Sequence, residues 1–504
     1  MVYESTRDKN KRLKSTDVIL QGISDDGGLF VPSYIPKMDS DFILSMMNLD
    51  YRERAKKLLA FFLTDYTEEE IGICVDRAYG SQKFSSDAIA PVISLTHDIG
   101  ILELWHGPTC AFKDMALQLL PHLMRTAMDK KGIGEDVVIL VATSGDTGKA
   151  ALEGFKDVEG THIVVFYPES GVSPIQELQM TTQEGSNVHV LGVMGNFDDA
   201  QTGVKRIFTH REFNMDMNKA GYRLSSANSI NWGRLVPQII YYVSAYIDMI
   251  EAKQLVMGES FDVVVPTGNF GNILAAYYAK QMGVPIDRLI CASNRNNILT
   301  DFISTGIYDS NREFYKTISP SMDILISSNL ERLLYEILER DDGELSHLME
   351  ELNESNRYKL THQQHEKLRE DFWGGYADDL ETLNTIKSIY AQFNYVLDPH
   401  TAVGMKVLYD YRNAVDEYKK ALVVSTASPY KFIEDVLMGI GGEELIRDRD
   451  EFEMLAKLAS MSNTPIPNSL EQLKHKQILH TRTCSKEDME ETVAQIFNIG
   501  GVEE

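Results

Sequence analysis

A lysine at the junction of a predicted strand and a predicted helix could carry covalent carbonyl chemistry. Lys113 follows an apolar strand at residues 101–105 and a Gly-Pro turn, and it precedes an apolar helical start at residues 115–120. Apolar surroundings lower the pKa of an amine and leave it free to attack a carbonyl. Because most lysines are solvated at the surface, Lys113 alone would indicate little. Its significance depends on whether other segments supply what a lysine-bound cofactor needs.

A first loop between a strand and a helix, residues 141–152, could bind an anion through its backbone. Small residues there let N–H groups and the helix dipole face a negative charge. The loop is not a nucleotide-binding P-loop, because Thr143 replaces the first glycine and Ala150 replaces the magnesium-binding hydroxyl. By itself it could equally be an ordinary strand-to-helix turn. Its carboxylate, Asp146, would repel a bound anion unless it contacts another group or is turned away.

A second loop of the same kind, residues 266–276, has two glycines three positions apart, Gly268 and Gly271. Such a concave row of N–H donors suits a phosphate held without charged side chains. The loop lacks the three glycines of the dinucleotide fingerprint. Both loops follow predicted strands, and α/β sheets bind ligands at the carboxyl ends of their strands. Together they therefore indicate a ligand site more strongly than either does alone.

Polar side chains in three other segments could reach the same sheet edge. Thr426, in residues 425–432, offers a neutral hydroxyl after the last strand, although an isolated threonine there favours a helix N-cap. Arg234, in residues 224–237, brings a fixed charge suited to a phosphate or a carboxylate. The same segment could instead be a hydrogen-bonded capping loop. His400 could contact a ligand, but a structural role is the favoured interpretation.

The elements that must position these residues alternate between short apolar strands and helices. Near-continuous apolar runs are typical of strands buried on both faces of a parallel sheet. With helices between them, they predict a doubly wound α/β fold. The predicted strands cover residues 137–141, 162–167, 188–191, 261–265, 289–292 and 421–425.

Changes in composition divide the chain into predicted regions. Residues 1–90 read as a mostly helical leader, and residues 91–435 as a core of two α/β subdomains. Residues 330–395 are charged and predict a helical insertion outside the sheet. Residues 436–504 are acidic and predict a C-terminal helical cap.

The bulk composition argues against partners that need a basic surface. The chain has 504 residues and a net charge of −26, from 75 acidic and 49 basic residues. We therefore expect no nucleic-acid or membrane partner, while a local pocket could still bind a small anion. The four cysteines match no metal-ligand or disulfide spacing, so we expect no metal and a reducing compartment. Without a signal-peptide core or a run long enough to span a bilayer, the sequence predicts a cytoplasmic protein.

Taken together, these segments resemble the threonine synthase family, fold-type-II enzymes that use pyridoxal 5'-phosphate. The resemblance implies mainly parallel sheets in two subdomains, as in the β subunit of tryptophan synthase. The long leader resembles the branch found in enteric bacteria and fungi. The matching segments keep the family's order over most of the chain: residues 24–32, 106–114, 143–148, 226–231, 266–272, 398–404 and 426–432.

The resemblance also implies roles for individual positions. Lys113 would be the catalytic residue and would form the Schiff base with the cofactor. Thr426 would face the pyridine nitrogen, and Asp146 would stand beside the ring hydroxyl, where related enzymes often carry asparagine. The cofactor phosphate would be held by Gly268, Asn269, Phe270, Gly271 and Asn272. The substrate carboxylate would contact Thr143, Ser144, Gly145 and Thr147, and its phosphate would contact Asn228, Ser229, Asn231 and Arg234.

The implied reaction converts O-phosphohomoserine and water to L-threonine and phosphate by γ-elimination and β-addition, in a monomer or a homodimer. One alternative is another fold-type-II enzyme, such as a threonine or serine dehydratase or a β-replacing synthase. The leader and residues 226–231 favour threonine synthase, and residues 144–146 read Ser-Gly-Asp where those rivals usually have Ser-Gly-Asn. The other alternative is a non-catalytic ligand-binding relative, which would have no need of Lys113.

Overall fold

The chain folds into α/β layers that follow a mixed N-terminal region. A computed structural model describes residues 1–80, 82–143, 145–169, 172–416 and 418–499. The N-terminal region contains β1 (Tyr3–Ser5), β2 (Asp8–Leu13), α1 (Ser15–Gln21), β3 (Phe30–Pro32), α2 (Ser40–Leu44), α3 (Tyr51–Phe62) and α4 (Glu68–Ala78). None of the helices in these stretches is both long and apolar enough to cross a bilayer.

Alternating strands and helices make up the rest of the chain. Up to the long helix α11 they are β4 (Val92–Ser94), β5 (Ile99–Glu103), α5 (Asp114–Leu117), α6 (Leu120–Lys131), β6 (Asp136–Ala142), α7 (Asp146–Phe155), β7 (Thr161–Pro168), α8 (Pro174–Thr181), β8 (Val188–Met194), α9 (Phe197–Thr209), α10 (Arg211–Lys219), β9 (Tyr222–Ser225) and α11 (Trp232–Glu251). Then come β10 (Phe261–Pro266), α12 (Gly271–Met282), β11 (Ile286–Ser293), α13 (Ile298–Thr305), β12 (Ile307–Asp309), α14 (Leu330–Ile337), α15 (Asp342–Ser355), β13 (Arg357–Lys359), α16 (His362–Asp371), β14 (Phe372–Tyr376), α17 (Asp379–Phe393), α18 (Pro399–Val415), β15 (Ala421–Ser425), α19 (Ile433–Gly441), α20 (Glu451–Met461), α21 (Asn468–Glu471), β16 (Thr483–Ser485) and α22 (Met489–Ile496).

Two larger sheets form the core of the described chain. One has the strand order β14-β11-β10-β15-β5-β4 and is parallel except for the antiparallel edge pair β4 and β5. The other has the order β16-β8-β7-β6-β9 and is parallel throughout. Most of their central strands are buried along their length, as the apolar runs in the sequence predict. The doubly wound, mainly parallel fold is therefore confirmed.

Three sequence predictions need correction at the level of elements. The leader is not only helical, because β1, β2 and β3 pair into an antiparallel sheet. The prediction that residues 330–395 lie outside the sheet is wrong for β14, which is the edge strand beside β11. The acidic C-terminal region is mostly helical but adds the short strand β16 to the second sheet.

Helix α11 connects the leader to the core. It is buried over most of its length and contacts α1, α3, α5 and α12. Its first residue, Trp232, packs edge-on against Tyr3 of the leader, with ring centroids 5.4 Å apart. Asn231 caps the helix, accepting a hydrogen bond from the Gly233 N–H at 2.8 Å. The leader therefore packs directly against the helix that carries Arg234.

Candidate active site

The corner that carries Lys113 is held between two strand ends. The Leu104 N–H donates to the Ser425 carbonyl at 3.0 Å, and the Phe112 N–H donates to the Thr426 carbonyl at 2.8 Å. The intervening turn is closed by Asp114, which accepts hydrogen bonds from the Thr109 N–H at 2.8 Å and hydroxyl at 2.7 Å. The corner is therefore fixed at the carboxyl ends of β5 and β15.

The Lys113 amine lies in an electrostatic environment that weakens its hold on a proton. Burial lowers the pKa of Lys113 to about 8, against the opposing effect of Asp146. The positive charges of Lys431 and Arg234 contribute to this lowering. The Nζ atom lies 3.8 Å from Asp146 Oδ2 and donates to Ser321 Oγ at 3.4 Å. An amine of this kind is available as a nucleophile and as a base near neutral pH.

Asp146 is neutralised by a second lysine that the sequence analysis did not single out. Lys431 Nζ lies 2.5 Å from Asp146 Oδ1, and its side chain is fully buried. Gln176 Nε2 donates to the same oxygen at 3.1 Å. Burial would raise the pKa of Asp146, but the ammonium groups of Lys431 and Lys113 outweigh it and hold that pKa below its ordinary value. This ion pair explains how a carboxylate can lie at a sheet edge that was expected to bind an anion.

In the loop before α7, the Thr143 side chain hydrogen-bonds within the loop and stabilises its conformation. The Thr143 hydroxyl accepts hydrogen bonds from the Gly145 N–H at 3.0 Å and the Gly148 N–H at 2.9 Å. Thr143 thus shapes the turn, and its side chain is less available to a substrate than the sequence suggested. Thr147 is half-buried at the start of α7. The predicted substrate residue Ser144 lies outside the described residues.

In the loop between β10 and α12, backbone carbonyls accept hydrogen bonds, while one side-chain amide has no partner for its N–H groups within the described part of the chain. Asn329 donates to the Asn269 carbonyl from its backbone N–H at 3.1 Å and from Nδ2 at 3.0 Å. Ser327 Oγ donates to the Gly268 carbonyl at 2.7 Å. Asn272 Oδ1 accepts hydrogen bonds from two tyrosine hydroxyls, while its buried Nδ2 has no partner among the described residues. A helix N-terminus with an unpaired amide donor is suited to a phosphate.

Phe270 and Gly268 show why this loop keeps its conformation. Phe270 has a left-handed backbone with φ of 62°, and its buried ring packs near Phe372. Only its backbone could therefore serve a cofactor. A Cβ atom on Gly268 would lie 2.5 Å from the Ser321 carbonyl oxygen, so the loop and the Ser321 turn can approach this closely only with glycine.

In the loop before α11, some predicted substrate residues form structural hydrogen bonds, and others have groups that are free to bind a ligand. Asn231 caps α11 and also donates from Nδ2 to the Ile19 carbonyl at 2.9 Å, so its side chain is committed to the fold. Arg234 is buried and donates from Nη1 to the Ala227 carbonyl at 2.9 Å, while its Nε has no partner in the described chain. Burial lowers the pKa of Arg234 to about 10, which still leaves it charged at neutral pH. Asn228 is exposed and Ser229 is half-buried.

Two residues near the end of the sheet complete the site. Thr426 is buried directly after β15, and the hydrogen bond from Phe112 to its carbonyl brings it to the lysine corner. His400 Nδ1 lies 2.8 Å from Asp398 Oδ1, and its Nε2 accepts a hydrogen bond from the Ser321 N–H at 3.2 Å. His400 therefore supports the Ser321 turn, in agreement with the structural role favoured from sequence.

The residues gathered here fit pyridoxal phosphate. Lys113 supplies an amine of lowered pKa, and the N-terminus of α12 supplies donors for a phosphate, including the unpaired Asn272 Nδ2. Thr426 supplies a neutral group at the same edge. Among the residues that the structure describes, no group of three or more His, Cys, Asp or Glu side chains could hold a metal ion.

Sequence reasoning missed Lys431, Ser321 and Gln176. Lys431 belongs to a segment that the sequence had singled out, and the unexplained charge of Asp146 was the signal that a cation had to lie nearby. Ser321 and Gln176 carried no such signal, because they reach the site from loops and helices that no motif marks.

Comparisons with known proteins agree with the geometry. Residues 2–79 match the family model described as threonine synthase N terminus, and residues 94–427 match that of pyridoxal-phosphate dependent enzymes. The chain is 40% identical over 482 residues to threonine synthase-like 1 of Pongo abelii, covering 93% of this chain but only 64% of that protein's length. It is 39% identical over 443 residues to threonine synthase of Pseudomonas aeruginosa, covering 88% of this chain and 91% of that one.

A solved structure extends the same comparison to the fold. The chain matches the crystal structure of pyridoxal-phosphate-bound threonine synthase from Brucella melitensis with a TM-score of 0.87 and 36% identity. The match covers 98% of this chain and 99% of that one. The chain therefore belongs to the threonine synthase family of pyridoxal-phosphate-dependent enzymes.

Proposed function

We propose that the protein acts as a threonine synthase, converting O-phosphohomoserine and water into L-threonine and phosphate. The observation that carries this proposal is a buried arginine whose positive charge acts on Lys113. Arg234 lies close enough to lower the pKa of Lys113, and it forms no ion pair with the described residues. A site for a phosphorylated amino acid needs a lysine amine that holds the cofactor and a cation that binds the phosphate of the substrate.

Pyridoxal phosphate, when bound, supplies an electron sink for negative charge that develops on the substrate's carbon atoms. Lys113 would hold the cofactor covalently until substrate arrives. Residues 268–272 would bind its phosphate through backbone N–H groups and the Asn272 amide. Thr426 would meet the pyridine nitrogen with a neutral hydroxyl, which fixes orientation without supplying a strong proton donor.

Lys113 would then move protons along the substrate. With a pKa of about 8, its amine can accept a proton from Cα and return protons at later steps. Asp146 at 3.8 Å and Ser321 at 3.4 Å keep the amine in place. The same side chain can therefore serve first as the covalent anchor and afterwards as the base.

Arg234 would bind the substrate phosphate, with Asn228 and Ser229 as further donors from the same loop. A proton leaves Cβ, and the Cγ–O bond breaks with its electron pair departing on the phosphate. Cγ then gains a proton, and the oxygen of water bonds to Cβ as the water gives up a proton to the base. Thr147, in the first turn of α7, would hold the substrate carboxylate through the helix dipole and its backbone N–H. Gly145 would support this turn instead, because its N–H already donates to the Thr143 hydroxyl. Thr143 and Asn231 would support these loops through the hydrogen bonds described above.

An assay of products tests the proposal. Holoenzyme incubated with O-phosphohomoserine should release L-threonine and phosphate in equal amounts. Release of 2-oxobutyrate in place of threonine would instead favour a dehydratase.

Lys113→Ala should abolish turnover, since it removes both anchor and base; a variant with substantial turnover would contradict the role given to Lys113.

A further inference from the structure

Two buried lysines share one carboxylate in this site. Asp146 Oδ1 lies 2.5 Å from Lys431 Nζ, and Asp146 Oδ2 lies 3.8 Å from Lys113 Nζ. The two lysines come from different parts of the chain, Lys113 after β5 and Lys431 after β15. Asp146 lies at the start of α7, which packs against β7 of the second sheet. The carboxylate thus joins three segments and faces a different ammonium group with each oxygen.

Lys431 is committed to this arrangement. Its side chain is fully buried, and besides Asp146 it donates to the Thr109 carbonyl at 3.0 Å. A buried ammonium is costly unless it is paired, so Lys431 and Asp146 stabilise each other's charged forms. Thr109 is in turn fixed by Asp114, the residue next to Lys113. Lys431 therefore contacts both the carboxylate that faces Lys113 and the turn that carries it.

We propose that Lys431 is a positioning residue for Lys113: it neutralises Asp146 and holds its carboxylate in place, so that the Lys113 amine stays available to capture pyridoxal phosphate. This inference rests on the proposed function, because it assumes that Lys113 is the cofactor lysine. It adds a role for a residue that would not itself touch the reacting carbon atoms.

The surrounding charges give the expected effects a definite sign. Lys113 is faced by Asp146 and Asp114, which favour its protonated form, and by Lys431 and Arg234, which oppose it. Without Lys431, the negative charge of Asp146 would act on Lys113 alone, and the amine would hold its proton to higher pH. Without Asp146, the remaining cations would drive the proton off at lower pH. His400 also faces Asp146 and favours its ionised form.

The test measures the rate at which apoprotein captures pyridoxal phosphate as a function of pH. Only the uncharged amine reacts, so the rate rises with pH through the pKa of Lys113, about 8 in the native chain. Capture is monitored by visible absorbance. The adduct is then fixed with borohydride and assigned to a residue by peptide mass mapping. The variants are Lys431→Met, Lys431→Arg, Asp146→Asn and the double variant Lys431→Met/Asp146→Asn.

The expected pattern is a charge cycle. Lys431→Met should raise the midpoint by about one pH unit or more, and Asp146→Asn should lower it, because a close charge shifts a pKa by roughly 1–3 units. The double variant should return towards the native midpoint, since both members of the pair are gone. Lys431→Arg keeps the charge and should stay near the native midpoint.

The outcomes separate this inference from the proposed function. A midpoint unchanged in Lys431→Met, or a double variant whose midpoint is no lower than that of Lys431→Met, would overturn the role of Lys431. If Lys431→Met alone does not fold, the double variant is compared with Asp146→Asn. A double-variant midpoint above that of Asp146→Asn, back towards the native value, would support the role, and a midpoint equal to or below that of Asp146→Asn would overturn it. A native protein that gives no borohydride-fixed adduct on Lys113 would contradict the proposed function itself.

Discussion

Lys113 depends for its reactivity on charged and polar residues from distant segments of the chain. Burial lowers its pKa most, the charges of Asp146, Lys431 and Arg234 adjust that pKa, and Ser321 offers it a hydrogen-bond acceptor. The sequence pointed to Lys113, Asp146 and Arg234 because each lies in a loop with a recognisable pattern. It could not reveal that Lys431 reaches Asp146, because that contact exists only after the segment that follows β15 packs against the start of α7.

Arg234 is the side chain that we expect to bind the substrate phosphate. Arg234→Met should raise KM for O-phosphohomoserine by roughly ten- to a hundredfold, because a hydrogen bond between charged groups is worth about 1.5–3 kcal/mol. Steady-state kinetics would show it, together with weaker inhibition by inorganic phosphate. Binding of L-threonine, which lacks the phosphate, is the control and should change little. An equal loss of affinity for threonine would mean that the substitution disturbs the whole site.

Strand ends and helix starts place the site more than any single motif does. The apolar runs in the sequence predicted β6, β7, β8, β10, β11 and β15, and with them the edge where the loops meet. They missed β14, because two adjacent glycines, which are depleted in strands, interrupt its Phe-Trp-Gly-Gly-Tyr sequence. They also missed β2, a charged strand with no continuous apolar run. Tertiary pairing decides such segments, and local pattern does not.

The close approach of two loops yields a prediction at Gly268. Gly268→Ala should weaken pyridoxal phosphate binding by about tenfold, because its Cβ would lie 2.5 Å from the Ser321 carbonyl oxygen and overpacking of this kind costs about 1–3 kcal/mol. Fluorescence titration of apoprotein with the cofactor measures the change. Gly404→Ala is the matched control, since its Cβ would meet Pro266 at an ordinary 3.4 Å. Equal affinities in the two variants would show that the tight contact is not needed.

Across the whole molecule, a buried arginine connects the leader to the loop before α11 and, through Asn329, to the loop between β10 and α12. Arg332 donates to the Phe30 carbonyl of the leader at 3.0 Å, to the Ile230 carbonyl of the loop before α11 and to Asn329 Oδ1. Asn329 in turn binds the Asn269 carbonyl. The leader therefore supports the loops expected to bind the substrate phosphate and the cofactor, although no leader motif suggested this connection.

Removing that arginine should destabilise the protein as a whole. Arg332→Met leaves buried acceptors without donors, at about 1–3 kcal/mol for each group left unsatisfied. We expect the free energy of unfolding in urea to fall by about 2 kcal/mol or more. Arg357→Met, at a side chain that is 53% exposed, is the control and should change it by less than about 0.5 kcal/mol. A similar small change in both variants would argue that the leader is not coupled to the site through Arg332.

Turnover of O-phosphohomoserine in water labelled with heavy oxygen tests the central claim most directly. If water adds at Cβ after phosphate leaves with the bridging oxygen, mass spectrometry should find the label in the hydroxyl of threonine and none in the phosphate. Label in phosphate accompanied by homoserine would instead indicate simple hydrolysis of the phosphate ester. That result would contradict the assignment of threonine synthase chemistry to this site.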